Sequence, residues 1–219
     1  MMKMRAFVSV LAVLAAGGCL QKDTTHALYL APDGSLTWTV SEAHVYSDDG
    51  DPGKRAAEEQ AYIGPALLGA HRVALGLQSL EPESLVRTSV VREERPFHVI
   101  TEARFAQADR ALQRLFTESG IPARVTLVHD DTHTSLRIRF DFSRQMVDRD
   151  TPAAALLEDI EHFVFVVPEG RFIAGGGFEV PDRTRARISK EWLGAVENAI
   201  DARATIEFVL TWDTRDNRG

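Results

Sequence analysis

The sequence predicts an α+β fold: a single domain in which an antiparallel sheet of hairpins is interspersed with helices, as β-β-α units. Three observations predict it. Several segments alternate apolar and polar side chains with a period of two, which is typical of half-buried strands. Turn-forming residues separate neighbouring strand segments, and apolar stripes with helical spacing lie between the pairs. The order reads β-β-α four times with a final strand, and hairpins joined by helices indicate an antiparallel sheet.

Each strand is marked by apolar side chains two residues apart, which places them on one face. These sets are Leu36, Trp38 and Val40; Phe97, Val99 and Phe105; Leu136, Ile138, Phe140 and Phe142; and Ile206, Phe208, Leu210 and Trp212. Residues 163–167 are apolar throughout and predict a strand covered on both faces. Hairpin turns are expected at residues 31–35, 92–96, 129–134 and 168–170, which are rich in Pro, Gly, Asp, Thr or charged residues.

Four helical regions separate the hairpins. Residues 54–80 are expected to be helical with a break at Gly64-Pro65. Thr151-Pro152 begins a helix, with proline at its first position, and Ser189 caps another. The core-facing stripes of the last three helices are Ala108, Ala111, Leu112, Leu115 and Phe116; Leu156, Leu157 and Ile160; and Trp192, Leu193, Val196 and Ile200.

Composition excludes several classes of protein. The chain has 219 residues, of which 44% are hydrophobic and 26% charged, so it is not disordered. It has one cysteine, which excludes a disulfide framework and Cys-rich zinc modules. A net charge of -7 argues against a nucleic-acid partner, because binding a polyanion needs a cationic surface.

The N-terminus has the pattern of a secretory signal peptide. Lys3 and Arg5 form a positive region, residues 6–16 are apolar except Ser9, and small residues follow. Eleven helical residues cover about 16 Å, whereas the hydrocarbon core of a bilayer is about 30 Å thick. We therefore expect an export signal rather than a membrane span.

The sequence Leu-Ala-Ala-Gly-Gly-Cys at residues 14–19 resembles a bacterial lipobox. In lipoproteins the cysteine is diacylated on sulfur and the peptide is cut before it. The resemblance implies that Cys19 is the lipidated first residue of the mature protein and that two or more acyl chains anchor it stably. Leu20, in place of Asp, implies export to the outer membrane in a bacterium with two membranes.

Three segments follow from these predictions. Residues 1–18 are the lipoprotein signal peptide, residues 19–27 are the lipidated cysteine and a short tether, and residues 28–219 are the globular domain. Removal of Lys3 and Arg5 changes the net charge from -7 to -9. An eight-residue tether spans at most about 29 Å, so the domain is expected to lie near the headgroups.

The best candidate for chemistry is the turn His129-Asp130-Asp131-Thr132-His133. If it closes a hairpin, His129, His133 and Asp131 are a plausible ligand set for zinc or a similar ion. The alternative is a solvated polar turn, in which Asp and Thr are common, and the sequence places no third histidine nearby.

Other clusters have ordinary structural interpretations. The acidic residues 48–53 lack the spacing of an EF-hand and suit a turn or the start of a helix. The cluster Glu158, Asp159, Glu161 and His162 is explained by a surface pair on a helix. His71, with Leu67 and Leu75, is expected on the apolar side of a helix as a buried, hydrogen-bonded histidine. Gly175-Gly176-Gly177 lacks the ending of a P-loop and is expected to form a bulge or hinge.

No motif of a known enzyme class occurs, and we expect a non-enzymatic lipoprotein of the cell envelope, without a cofactor. Its partners would be the membrane, through Cys19, and an envelope protein or another envelope component bound by a sheet face or edge. An apolar-ligand (lipid) carrier is the first alternative, because a curved sheet covered by helices can enclose a cavity. A metal-dependent hydrolase using His129 and His133 is the second.

Overall fold

The computed structural model describes residues 20–143, 156, 157 and 159–213. These residues form eleven strands, four α-helices and one 3-10 turn. The strands are β1 (Leu20–Leu30), β2 (Leu36–Ser47), β3 (Arg87–Arg92), β4 (Phe97–Phe105), β5 (Ala123–His129), β6 (His133–Asp141), β7 (Phe163–Val166), β8 (Arg171–Gly176), β9 (Phe178–Asp182), β10 (Arg185–Ile188) and β11 (Thr205–Asp213). The helices are α1 (Pro52–Leu67), α2 (Arg72–Ser79), α3 (Ala108–Glu118) and α4 (Lys190–Asp201), and the 3-10 turn is Ile160–His162.

The α+β fold of one domain is confirmed, and the strands lie in two sheets. The larger sheet has the order β3-β4-β2-β1-β7-β10-β9, and the smaller has the order β5-β6-β11-β8. One buried apolar cluster draws side chains from both sheets and from α3 and α4. The two sheets therefore share a core.

The antiparallel prediction is incomplete in one place, because β7 pairs with β1 in parallel, with His26 opposite Phe163. The predicted hairpin at residues 168–170 is also wrong. The chain leaves β7 in the larger sheet, turns at Gly170 and enters β8 in the smaller one. The alternation of apolar and polar residues predicts which face of a strand is buried. It does not predict which distant strand pairs with it.

Strands β9 and β10 were not predicted. They extend the fourth unit to four strands before α4, because β10 pairs with both β7 and β9. β9 has one buried residue, Phe178, and β10 alternates over only four residues, so neither strand is marked by a long apolar repeat.

The tether expected at residues 20–27 is wrong. These residues form most of β1, which pairs with β2 from Leu20 opposite Ser47 to Leu30 opposite Leu36. Inward-facing side chains of β1 continue the alternation back to Leu20, which packs on a second, smaller core formed by Val45, Tyr62, Ile63, Ala66 and Val99. Folded structure thus extends to the residue that follows Cys19, which itself lies outside the described residues.

The helical region at 54–80 breaks four residues later than expected. Pro65 is accommodated inside α1, which ends at Leu67, and Gly69, the residue after the C-cap, has a φ of +68°. Ala70 N–H donates to the carbonyl of Pro65 and Gly69 N–H donates to that of Ala66, which together form a Schellman motif. This motif fixes a tight tip, residues 68–71, between α1 and α2.

The remaining helix predictions hold where the structure describes them. The stripe of α3 is buried, and Ser189 Oγ accepts a hydrogen bond from Trp192 N–H at the start of α4. Leu156 and Ile160 are buried as expected. The predicted cap at Thr151-Pro152 lies outside the described residues.

Candidate functional site

A buried carboxylate lies beneath α1 and α2. Glu42, on β2, is 1% exposed. Its Oε1 is paired with the ammonium of Lys22 on β1. Its Oε2 accepts a hydrogen bond of 3.0 Å from the hydroxyl of Tyr62 on α1, and Nε2 of His71 lies 3.5 Å from the same oxygen. A buried charge is tolerated only when it is paired and hydrogen-bonded, and Glu42 meets both conditions.

The environment sets the protonation states of this cluster. Burial opposes ionisation of Glu42, but the Lys22 ammonium, His71 and the hydrogen bonds from Lys22 and Tyr62 outweigh it and hold the carboxyl pKa below its usual value. Burial lowers the pKa of Lys22, against the attraction of Glu42. Burial, with the adjacent carboxylate, raises the pKa of Tyr62. Burial also lowers the pKa of His71, against the attraction of Glu42.

His71 is the unusual member of the cluster. It is 2% exposed, it precedes α2 at the N-cap position, and its ring meets that of Tyr62 edge-on at 5.0 Å. Neither ring nitrogen has a hydrogen-bond partner among the described residues. The prediction that His71 is buried is confirmed, but the hydrogen bonds expected for its ring are not formed with any described residue. The expected apolar helix face is also wrong, because Leu67 and Leu75 are 59% and 57% exposed.

A cavity of about 300 Å³ opens beside His71. Most of its wall is apolar or aromatic, and it is lined by Leu20, Glu58, Ala61, Tyr62, Pro65, Ala70, His71 and Arg72. The Schellman motif at the end of α1 brings Pro65 and Ala70 together in this wall. Both nitrogens of His71 are buried, so its ring adds to the largely apolar and aromatic wall of this cavity.

A second pocket, of about 360 Å³, lies on the other side of Lys22 and is lined by Lys22, Asp23, Thr24, His26, Asp159 and His162. His26 Nδ1 accepts a hydrogen bond of 3.2 Å from the indole N–H of Trp38. Because an indole N–H only donates, this contact keeps His26 Nδ1 unprotonated. The ring stacks on Phe163 at 4.8 Å, and burial lowers its pKa to about 4.

The predicted metal ligands His129, Asp131 and His133 lie in the smaller sheet, away from the Glu42 cluster in the larger one. They flank the hairpin turn between β5 and β6, as expected. His129 Nδ1 is 2.9 Å from Thr134 Oγ1, and His133 Nδ1 is 2.7 Å from Thr132 Oγ1. Within the described residues, no three His, Cys, Asp or Glu side chains are grouped to hold a metal ion. The metal site stays a prediction.

Other predicted clusters have local structural roles. Asp51 ends the acidic loop and caps α1, its side chain accepting from the N–H groups of Gly53 and Lys54. Glu161 and His162 form an exposed pair at 3.6 Å, and Glu158 lies outside the described residues. Gly177 carries the chain from the smaller sheet into the larger one at φ +84°, which is the hinge expected there.

The sequence did not identify Lys22, Glu42 or Tyr62 as site residues. It also did not place His71 beside Glu42 or in the wall of a cavity. One signal was available. The alternation Leu36, Trp38, Val40 continues to Glu42, which places a carboxylate on the buried face of the strand. Its partners come from three other elements, and no motif links them.

No helix among the described residues is long and apolar enough to cross a bilayer. No protein-family model matches the chain, and no curated protein matches it. Among solved structures, the folded domain of the Mycobacterium tuberculosis protein LppM, determined by NMR, is similar with a TM-score of 0.36 and 10% identity. The alignment covers 92% of this chain and 93% of that domain. At this distance the likeness identifies neither a family nor a function.

Proposed function

We propose that this protein is a lipid-anchored, non-enzymatic binding protein of the bacterial cell envelope, held at the outer membrane through Cys19. The proposal rests on the junction between Cys19 and β1. The N-terminal segment resembles a signal peptide whose lipobox ends at the only cysteine of the chain, and the next residue, Leu20, already belongs to β1. Acyl chains on Cys19 would therefore be joined to a central strand of the larger sheet without a flexible spacer.

Binding is favoured over catalysis by the state of the buried cluster. Both oxygens of Glu42 are engaged, by Lys22 and by Tyr62, so this carboxylate is not available as a general base. His71 finds no hydrogen-bond partner in the described part of the chain, and it lines the cavity. We infer that the cavity takes a small, largely apolar molecule that packs against the rings of Tyr62 and His71.

The cavity also bears on the carrier hypothesis. A volume of about 300 Å³ is at the lower end of the range for small-molecule sites. It suits a small molecule or part of one acyl chain, and it is too small for a lipid with two chains. A small-ligand site is therefore favoured over a lipid carrier at this position.

The anchor is tested by producing the full-length chain in a bacterial host that processes lipoproteins. We expect the mature N-terminal peptide to begin at Cys19 and to carry the mass of a diacylglyceryl group. We expect the protein to sediment with the outer membrane on a density gradient. A Cys19→Ser variant should keep its signal peptide and carry no lipid. An unmodified Cys19, or cleavage at another position, would contradict the proposal.

The ligand site is tested by native mass spectrometry of the exported, mature protein. We expect an adduct of small-molecule mass that is lost in Ala61→Phe, which places an aromatic ring in the cavity wall, and kept in Leu75→Ala, an exposed change in the neighbouring helix. An adduct kept in both variants, or absent from the wild-type protein, would count against binding in this cavity.

A further inference from the structure

The tip between α1 and α2 is apolar and exposed. Leu67 and Leu68 are 59% and 83% exposed, and Gly69 and Ala70 are exposed beside them. Residues 60–71 contain no charged side chain, in a chain that is 26% charged. The charged residues of α1, which are Lys54, Arg55, Glu58 and Glu59, all lie in its first half. The helix therefore changes from a charged end to an uncharged one along its axis.

This tip is held in a defined position. The Schellman bonds at Gly69 and Ala70 close the end of α1, and Ala66 and Ile63 are buried in the smaller core beneath it. The two exposed leucines are thus presented by packed structure rather than by a loose loop. Contiguous apolar surface, unlike a single scattered leucine, marks a contact site, and Leu67 and Leu68 are adjacent to each other and to the exposed Gly69 and Ala70.

The tip also lies beside the start of β1. Leu20 lines the same cavity as Pro65 and Ala70, which are the residues that close the tip. Leu20 is joined by one peptide bond to Cys19. Acyl chains on Cys19 would therefore lie at the same end of the molecule as the side chains of Leu67 and Leu68.

We propose that Leu67 and Leu68 insert into the interface of the lipid bilayer that carries the anchor. This inference rests on the proposed lipidation of Cys19. The bilayer is the occupant that the position favours, because an anchor on Cys19, directly before Leu20 of β1, would bring this end of the domain to the headgroups. Apolar side chains at that depth gain by leaving water, and the tip has no charge to oppose it. The domain would then stand with α1 pointing into the membrane and with its far end in water.

The far end supplies a matched control. Leu85 is 83% exposed, as Leu68 is. It lines a pocket with Thr37 and Arg104, which pair with each other and lie beside Tyr29, at the end of β1 remote from Leu20. The nine steps along the strand from Leu20 to Tyr29 span about 30 Å. Leu85 is therefore equally exposed but distant from the anchored end.

The test uses the mature, acylated protein in vesicles of phosphatidylethanolamine and phosphatidylglycerol. Acylation occupies Cys19, so a Leu68→Cys variant has one free thiol, which is labelled with the environment-sensitive dye NBD. We expect a blue-shifted emission that is quenched by lipids carrying a quencher near the headgroup. The same label in a Leu85→Cys variant should emit as it does in water.

Different failures are distinguishable. Equal, water-like emission from both labels, with intact mass showing acylated Cys19, would overturn the insertion of the tip and leave the anchor standing. An unacylated Cys19 would overturn both. In a second measurement, Leu67→Ser with Leu68→Ser should increase the release of protein from vesicles by about tenfold or more, since two leucines leave the interface. No increase would overturn the proposal.

Discussion

The carboxylate of Glu42 is among the most deeply buried charged groups of the described residues. Its contribution to the free energy of unfolding depends on the groups that pair with it. Removing one partner of a buried ion pair leaves the other charge without compensation, which costs more than the pair itself contributes. Lys22 is the group that would be left, since its ammonium is paired with Glu42 beneath α1.

We expect Glu42→Gln to lower the free energy of unfolding by about 3 kcal/mol. The matched control is Glu179→Gln, which breaks the exposed ion pair with Arg187 and should change the value by less than about 1 kcal/mol. Urea denaturation at pH 7 measures both. Equal effects of the two substitutions would contradict the role assigned to burial.

The lowered pKa of His26 predicts that the free energy of unfolding depends on pH. Its pKa falls from 6.5 to about 4 in the folded protein, so the unfolded chain binds its proton first as the pH drops. The stability associated with the neutral ring is complete above pH 6.5 and is lost as the pH falls to about 4. The loss from this residue is up to about 3 kcal/mol.

A His26→Gln variant keeps an acceptor for the indole of Trp38 and removes the titration. We expect its unfolding free energy to fall less than that of the wild-type protein between about pH 7 and pH 4.5. Urea denaturation at several pH values measures the difference. The same slope in both proteins would mean that His26 does not remain neutral in the folded state.

At the scale of elements, Gly177 forms the connection through which the chain crosses from the smaller sheet to the larger one. It connects β8 to β9 at φ +84°, and a Cβ placed there would lie 2.5 Å from Phe208 Cδ1 and from Trp192 Cδ1. The contact joins a strand of the smaller sheet, a helix and the start of β9. The glycine therefore meets both a conformational and a packing requirement.

We expect Gly177→Ala to destabilise the protein by about 3 kcal/mol or more, because a positive φ and overpacking act together. Gly120 has a similar φ of +75°, and a Cβ added there would have no described atom within 4 Å, so Gly120→Ala isolates the conformational part, at about 1 kcal/mol. Thermal unfolding compares the two. Equal losses of stability in the two variants would show that Phe208 and Trp192 move to accommodate the added methyl group without a measurable loss of stability.

Element prediction succeeded where local signals were strong. The turns at residues 31–35, 92–96 and 129–134, the stripe of α3 and the Ser189 cap all follow from spacing and turn chemistry. The predicted tether at residues 20–27 failed because the sequence Gln-Lys-Asp-Thr-Thr is polar. Its inward-facing Lys22 pairs with Glu42, which lies on the neighbouring strand.

At the scale of the whole molecule, the two sheets share one core. Trp38 on β2, Trp192 on α4 and Trp212 on β11 are each nearly fully buried in the same cluster. Parts that share a core unfold together in most small domains.

We expect a single unfolding transition, with coincident midpoints for tryptophan fluorescence and for far-UV circular dichroism. Fluorescence reports both sheets and α4 through the three tryptophans, while circular dichroism reports backbone structure. Two separate transitions would show that the sheets are independent units.

The sequence by itself determined the α+β class and most strands and helices, because these depend on local periodicity, on turn chemistry and on capping. Only the tertiary structure decided that β1 and β7 pair in parallel, that residues 20–27 belong to β1, and that Lys22, Glu42, Tyr62 and His71 meet beside a cavity. Those four side chains come from separate parts of the chain. Their contacts arise from strand pairing and helix packing between distant segments, and such contacts leave no local pattern in the sequence.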